Sequence, residues 1–277
     1  MKDHYYQASN ITLHYTDSEN NKPTLILLHG LTANAHAFDK VTEGLLEQFR
    51  IICPDFRGNG LSDKPDTNYT VEDHATDIVA LISQLELGPV YLAGHSFGGY
   101  LAVYIAAYYP KLVSKLIILD AAVSMNPNAA KMLANAISRL DAVYSGFEEY
   151  LEHVKKAPYL NFWDTAMLSY YRADVHDLPD GTVKPRSQLT SITEKSMGLG
   201  RVKWAEVFPN ITQPALLVNA TGNYTLGEPL LPQEIAQSTV KSMPDARYAA
   251  VEGNHLTMLY RKGAERIAEL TIEFLVG

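Results

Sequence analysis

The chain reads Pro89-Val90-Tyr91-Leu92-Ala93-Gly94-His95-Ser96-Phe97-Gly98-Gly99 in its first half. Residues 89–93 are a short apolar run that predicts a buried β-strand, and residues 100–106 are apolar and alanine-rich enough for a buried helix. A serine on the sharp turn between such a strand and helix projects its hydroxyl out of the sheet, while glycines on either side relieve the crowding. This context predicts that Ser96 is a nucleophile.

The composition is typical of a globular protein. A chain of 277 residues can bury a large core, and 47% hydrophobic with 19% charged residues excludes a disordered or fibrous class. The net charge of -8 comes without a basic cluster. This balance argues against nucleic acid as the main partner and against adhesion to an anionic membrane.

The single cysteine and the N-terminal residues indicate the cellular compartment in which the protein is expected. Cys53 lies in an apolar run, and one cysteine excludes an internal disulfide, which fits a reducing compartment. Residues 1–6 lack the apolar core of a signal peptide, and no run approaches the length needed to span a bilayer. We therefore expect a cytoplasmic protein without a membrane partner, and its oligomeric state is left open.

Short apolar segments alternate with helix-length stretches along most of the chain. The predicted helices cover residues 35–48, 71–85 and 263–275, besides the one after Ser96. The other predicted strands cover residues 11–15, 24–28, 50–53, 115–120, 214–218 and 247–251. This alternation predicts an α/β fold with a mostly parallel, doubly wound sheet covered by helices on both faces.

Residues 123–210 break the alternation. They contain no convincing buried strand, but alanine-rich helical stretches and many aromatic residues: Tyr144, Phe147, Tyr150, Tyr159, Phe162, Trp163, Tyr170, Tyr171 and Trp204. We expect an α/β core formed by residues 1–122 and 211–277, with 123–210 as a helical cap inserted into it. Some of the aromatic rings are expected to roof an apolar pocket over Ser96, and the sequence does not say which.

Several signals in a fixed order resemble the α/β-hydrolase fold family, in particular serine esterases and lactonases with a helical cap. His29-Gly30 follows one strand, Asp55–Ser62 follows the next, and the Ser96 turn and a late Gly253-Asn254-His255 complete the series. In this family the nucleophile precedes the acid and the acid precedes the histidine. The resemblance implies that His255 is the base that takes the proton of Ser96.

The acid of such a triad is ambiguous. Many relatives carry an aspartate after the seventh strand, where this chain has Asn223, and an amide cannot carry the negative charge that stabilises an imidazolium. Asp120, at the carboxyl end of the strand that corresponds to the sixth of the family, matches the place where some capped relatives keep the acid. Glu228, four residues before Pro232, fits the acid-x-x-x-Pro phrase of the family after a short insertion. We prefer Asp120 and keep Glu228 as the alternative.

The resemblance also implies an oxyanion hole made of two backbone N–H groups. One belongs to Phe97, the residue after the nucleophile, and the second to Leu31, in the loop after His29-Gly30.

Other polar motifs have a structural interpretation. In Asp55–Ser62 we expect Arg57 to bridge loops beside the site, and we expect Gly58 and Gly60 to let the backbone turn tightly. His153 and His176 lack clean metal-ligand spacing, and no phosphate-binding or dinucleotide motif is present. We therefore expect neither a metal nor a cofactor.

The sequence thus predicts a cofactor-independent serine hydrolase that cleaves a small apolar ester or lactone through an acyl-enzyme. A serine on the turn argues against haloalkane dehalogenases and epoxide hydrolases, which resemble this fold but use an aspartate there. The same residues would also support carbon–carbon bond hydrolysis or lyase chemistry on cyanohydrins. The amide at Asn223 leaves a third possibility, a small-molecule binding or receptor protein with vestigial activity.

Overall fold

A computed structural model describes all 277 residues and contains ten strands. They are β1 (Lys2–Ala8), β2 (Ile11–Asp17), β3 (Thr24–Leu28), β4 (Arg50–Pro54), β5 (Val90–His95), β6 (Val113–Leu119), β7 (Val175–Asp177), β8 (Val183–Pro185), β9 (Ala215–Ala220) and β10 (Ala246–Val251). Eight form one sheet in the order β1-β2-β4-β3-β5-β6-β9-β10. Strands β1, β2 and β4 pair antiparallel in succession, and every other neighbouring pair is parallel. The predicted fold class is confirmed.

Ten α-helices accompany the strands. They are α1 (Asp39–Glu43), α2 (Val71–Gln84), α3 (Phe97–Tyr108), α4 (Ala129–Ser138), α5 (Phe147–Lys155), α6 (Met167–Asp174), α7 (Leu189–Arg201), α8 (Trp204–Val207), α9 (Gln233–Ser242) and α10 (Arg261–Val276). The helix predicted over 35–48 is shorter than expected: a 3₁₀ turn over Ala35–Phe38 leads into α1, which ends before Gly44. A side chain at Gly44 would lie 2.7 Å from the Ala268 side chain, so the chain passes close to α10 there.

The central strands are mostly apolar because both faces of the sheet are buried there. Side chains alternate between faces along a strand. In β3, Ile26 and Leu28 join one core cluster together with residues of α2 and α3. Leu25 and Leu27 join the other, together with residues of α1 and α10. Helices therefore cover both faces, as the sequence predicts.

The segment between β6 and β9 contains α4 to α8 and the small antiparallel pair β7-β8. The two strands were not expected, because with three residues each (VHD and VKP) they are too short to form an apolar run. Its other regular elements are helices joined by irregular loops, and its status as a separate cap domain stays a prediction. No helix in the structure is both long and apolar enough to cross a lipid bilayer.

The sheet order determines where the functional residues meet. β5 lies inside the sheet between β3 and β6, and β6 lies beside β9, all parallel. The residues that follow these strands therefore gather at one edge, which is where parallel α/β sheets bind ligands.

Candidate active site

Ser96 lies on the turn between β5 and α3 with φ 55° and ψ -118°. A non-glycine residue with this backbone conformation is strained, and such strain persists only where the surroundings enforce it. The Ser96 N–H donates to the carbonyl of Leu119 on β6 at 2.9 Å. Side chains at positions 94 and 98 would meet backbone atoms at 2.0 Å, so the turn requires both Gly94 and Gly98. The chain thus has the strand–turn–helix geometry that the sequence predicts.

Asp120 and His255 form a buried pair. Nδ1 of His255 lies 2.7 Å from Oδ2 of Asp120, and both side chains are buried. The second oxygen, Oδ1, accepts hydrogen bonds from Asn219 Nδ2 at 3.0 Å and from the Ala220 N–H at 2.8 Å. Since β6 and β9 pair with Leu119 opposite Val218, Asp120 falls beside these two donors. They stabilise a charged carboxylate and orient it towards the imidazole.

The alternative acid lies elsewhere. Glu228 is exposed, and its Oε2 accepts a hydrogen bond from Asn126 Nδ2 at 2.8 Å. Asn223 is also exposed, and its carbonyl accepts a hydrogen bond from Asn254 Nδ2 at 3.2 Å. Of the carboxylates considered from the sequence, Asp120 is the one that contacts His255.

Ser96 and His255 line the same cavity, together with Leu31 and Phe97. No hydrogen bond joins the Ser96 hydroxyl to the His255 ring in this structure. Hydrogen bonds between nucleophile and base are commonly loose in unliganded sites and tighten when substrate binds.

Two residues that line this cavity have backbone N–H groups without a backbone acceptor. Helix α3 begins at Phe97, so the Phe97 N–H has no partner within its own helix. The Leu31 N–H donates to no backbone carbonyl. Both groups therefore remain available to a ligand atom in the cavity.

His95 supports His255 in a way that sequence reasoning missed. Its Nε2 lies 2.7 Å from the His255 carbonyl oxygen, and the two ring centroids are 4.6 Å apart. Burial, and secondly the charge of His255, lowers the pKa of His95 well below its ordinary value. The ring is therefore neutral at pH 7, and its Nε2–H donates to the His255 carbonyl. The only indication of this role in the sequence is that His95 directly precedes Ser96.

A second set of contacts braces the loop that carries Leu31. Asn59 Nδ2 donates to the carbonyls of Leu31 at 3.2 Å and Ala33 at 2.8 Å. The Asn59 Oδ1 accepts a hydrogen bond from Lys195 of α7, which is fully buried. Burial lowers the pKa of Lys195 well below its ordinary value. Helix α7 of the inserted segment is thus linked to this loop through one amide.

The rest of Asp55–Ser62 has the structural role that the sequence predicts. Asp55 accepts hydrogen bonds from the Ala35 N–H at 2.7 Å and the Leu61 N–H at 2.9 Å, and it lies 2.7 Å from His14 Nδ1. Arg57 forms two 2.6 Å hydrogen bonds with Asp77 of α2.

The cavity has a volume of about 260 Å³, and 20 of its 27 lining residues are hydrophobic. The inserted segment supplies much of the apolar wall through α4, including Ala129, Leu133 and Ile137. Of the aromatic residues singled out from the sequence, Tyr159, Tyr170 and Tyr171 line the cavity, while Tyr150 and Trp204 are among those packed away from it.

The comparisons with known proteins agree with this architecture. Residues 23–261 match the family model of the alpha/beta hydrolase fold, and the chain belongs to that family. Among curated relatives, it is 31% identical over 235 residues to 2-(acetamidomethylene)succinate hydrolase of Mesorhizobium japonicum, which covers 83% of this chain and 80% of that protein. The protein is accordingly an enzyme of the hydrolase class, which favours catalysis over the receptor alternative.

Solved structures share the fold. The crystal structure of E-2-(acetamidomethylene)succinate hydrolase superposes with a TM-score of 0.88 at 24% identity, covering 100% of this chain and 99% of that one. The enol-lactonase from Burkholderia xenovorans LB400 superposes with a TM-score of 0.74 at 18% identity, covering 99% of this chain and 100% of that one.

Proposed function

We propose that this protein is a serine hydrolase that cleaves carboxylic esters or lactones through an acyl-enzyme, with Ser96, His255 and Asp120 as its triad. The observation that carries the proposal is the 2.7 Å contact between His255 Nδ1 and Asp120 Oδ2 at the wall of the cavity that Ser96 also lines. Without a base, a serine hydroxyl is a weak nucleophile at neutral pH.

The proposed reaction has two halves. In the first, Ser96 Oγ attacks the substrate carbonyl while His255 Nε2 takes its proton, and the imidazolium then protonates the departing alcohol. In the second, a water molecule attacks the acyl-serine, His255 takes the water proton, and the acid leaves as the serine is reprotonated. For a lactone the alcohol stays attached to the acyl chain throughout, and the second half releases a single hydroxy acid.

Each supporting residue has one task in this scheme. Asp120 holds His255 with Nε2 towards the cavity and stabilises the imidazolium that forms twice per cycle. The N–H groups of Leu31 and Phe97 stabilise the oxyanion, and loss of one such donor typically costs about 3–4 kcal/mol of barrier. His95 and Asn59 hold the backbone of His255 and of the Leu31 loop.

A second function uses the same residues. The name of the Mesorhizobium japonicum relative gives an acetamido compound as its substrate, rather than an ester or a lactone. This likeness keeps hydrolysis or lyase cleavage of other bonds, including carbon–carbon bonds, as the alternative proposal, since neither fold nor triad specifies the substrate.

A fluorophosphonate probe and a substrate panel test the proposal. We expect the probe to label Ser96 and the wild-type protein to release p-nitrophenol from short acyl esters, with both signals absent from Ser96→Ala. Absence of labelling and of ester turnover in the folded wild-type protein would refute it. Cleavage of a diketone or a cyanohydrin in the panel, with no ester turnover, would favour the alternative.

A further inference from the structure

The cavity contains a single charged side chain besides the proposed catalytic histidine. Its lining includes Arg139 but no lysine, aspartate or glutamate. An anionic group on a bound substrate could therefore pair with no other arginine or lysine than Arg139, and the remaining walls are mostly hydrophobic.

Arg139 is already engaged. Its Nη2 and Nε lie 3.0 and 3.3 Å from Oδ2 of Asp174, and both side chains are almost completely buried, at 3% and 1% exposure. Two more of its five N–H groups reach backbone carbonyls: Nη1 bonds to Ala136 on α4, and Nη2 reaches Thr32 at 3.4 Å. The Tyr150 hydroxyl also donates to Asp174 Oδ2. The positive charge thus has a partner before any substrate arrives.

An anionic substrate would face two costs in this cavity. Its carboxylate would lose its hydration on entering apolar walls, at an effective cost of several kcal/mol. Arg139 could offset this only by sharing or leaving Asp174, and a buried carboxylate that loses its partner is strongly destabilised. An uncharged acyl chain incurs neither cost and gains free energy from burying apolar surface.

We propose that the buried Arg139–Asp174 pair makes the cavity selective for substrates whose acyl group is uncharged. This inference rests on the proposed function and adds its substrate class. It separates this chain from the activity named for its curated relative, since a succinate carries two carboxylates at neutral pH. Arg139 is a specificity-determining residue here because its charge is already paired with Asp174 and is not available to a ligand.

Esters of matched size test the proposal. p-Nitrophenyl butyrate, mono-p-nitrophenyl succinate and methyl p-nitrophenyl succinate share a four-carbon acyl chain, and only the second is anionic. We expect kcat/KM for the anionic ester to be at least about 100-fold below that for either neutral ester, mainly through KM. The methyl ester separates charge from polarity and length. An anionic ester cleaved within threefold of the neutral pair would overturn the selectivity while leaving the serine hydrolase intact.

The variant Asp174→Asn examines the cause. It keeps a side chain of the same shape but removes the negative charge, so Arg139 is left without its counter-ion. We expect the ratio of kcat/KM for the anionic ester over the neutral esters to rise at least tenfold, through a lower KM for the anionic ester. An unchanged ratio in a folded variant would show that the pair does not set the selectivity.

A binding measurement decides the question if no ester is turned over or if Asp174→Asn fails to fold. Dimethyl succinate and succinate share one carbon skeleton, and their effects on the melting temperature of Ser96→Ala protein can be compared directly. A shift with the diester but none with the dianion at equal concentration supports the proposal. The opposite order, or equal shifts, would overturn it independently of catalysis.

Discussion

Replacing Ser96 by glycine should leave the protein more stable than replacing it by alanine, although both substitutions remove the hydroxyl. The reason is the backbone conformation at φ 55° and ψ -118°, which alanine must still adopt with a Cβ atom and glycine adopts without one. Backbone strain of this kind costs about 1–3 kcal/mol. The greater freedom of glycine in the unfolded chain opposes the gain by about 0.4–1 kcal/mol.

The net difference should be about 1 kcal/mol in favour of Ser96→Gly. A chain of 277 residues has an unfolding entropy of about 0.6 kcal/mol/K, so this difference corresponds to a melting temperature about 2 °C higher than that of Ser96→Ala. Calorimetry on the two variants measures it, and both should be inactive towards esters.

A matched pair at Thr76 provides the control. Thr76 is exposed in the middle of α2, where glycine is about 1 kcal/mol less stable than alanine. The order of the two variants should therefore be reversed there. If Ser96→Gly melts at or below Ser96→Ala, the turn stores no strain and the reasoning fails.

Three further predictions follow from individual contacts. Asp120→Asn should lower kcat about 10⁴-fold, whereas Glu228→Gln should leave it near the wild-type value; steady-state kinetics with p-nitrophenyl butyrate would contradict the assignment if the two effects were exchanged. Burial lowers the pKa of His29 to about 4, so the folded state favours the neutral ring. The contribution of this preference to the free energy of unfolding is complete above about pH 6.5 and is lost as the pH falls towards 4. Between pH 6.5 and 4, the unfolding free energy in urea should fall by about 3 kcal/mol more for the wild-type protein than for His29→Asn. The same pH profile for both proteins would contradict this. Arg57→Met strands the buried carboxylate of Asp77 and should cost about 3–5 kcal/mol in denaturant unfolding, most of which a second change, Asp77→Leu, should restore; no recovery would contradict the ion-pair account.

The central strands could be read from the sequence because their burial on both faces makes them continuously apolar. β3 has the predicted bounds, 24–28. β1 and α9 were missed for the opposite reason. β1 is an edge strand of mostly exposed residues, and α9 is largely polar. Neither contains the apolar run from which a buried strand or helix can be predicted.

Local motifs located part of the candidate site. Ser96 and His255 follow strands in recognisable phrases, whereas the choice between Asp120 and Glu228 depends on the distance to a ring 135 residues from the former. That distance depends on the pairing of β6 with β9 and of β9 with β10, which no local pattern encodes. The partnerships of Arg139 with Asp174 and of Lys195 with Asn59 were missed for the same reason, since such ion pairs and hydrogen bonds join distant parts of the chain.

With the proposed acid at the end of β6, the segment 221–232 after β9 has no triad residue to hold in place. Tyr224 and Leu230 of this segment line the cavity, while Glu228 and Asn223 are exposed to solvent. Its ends are tied to the site, because the Gly222 N–H donates to the Gly253 carbonyl and the Leu231 carbonyl accepts a hydrogen bond from Asn219. Changes in the exposed middle, residues 226–228, would instead shift Tyr224 and Leu230 and alter the shape offered to an acyl chain. The chain therefore has a short stretch, between two anchored ends, in which new substrate preferences can evolve while the proposed triad keeps its supports.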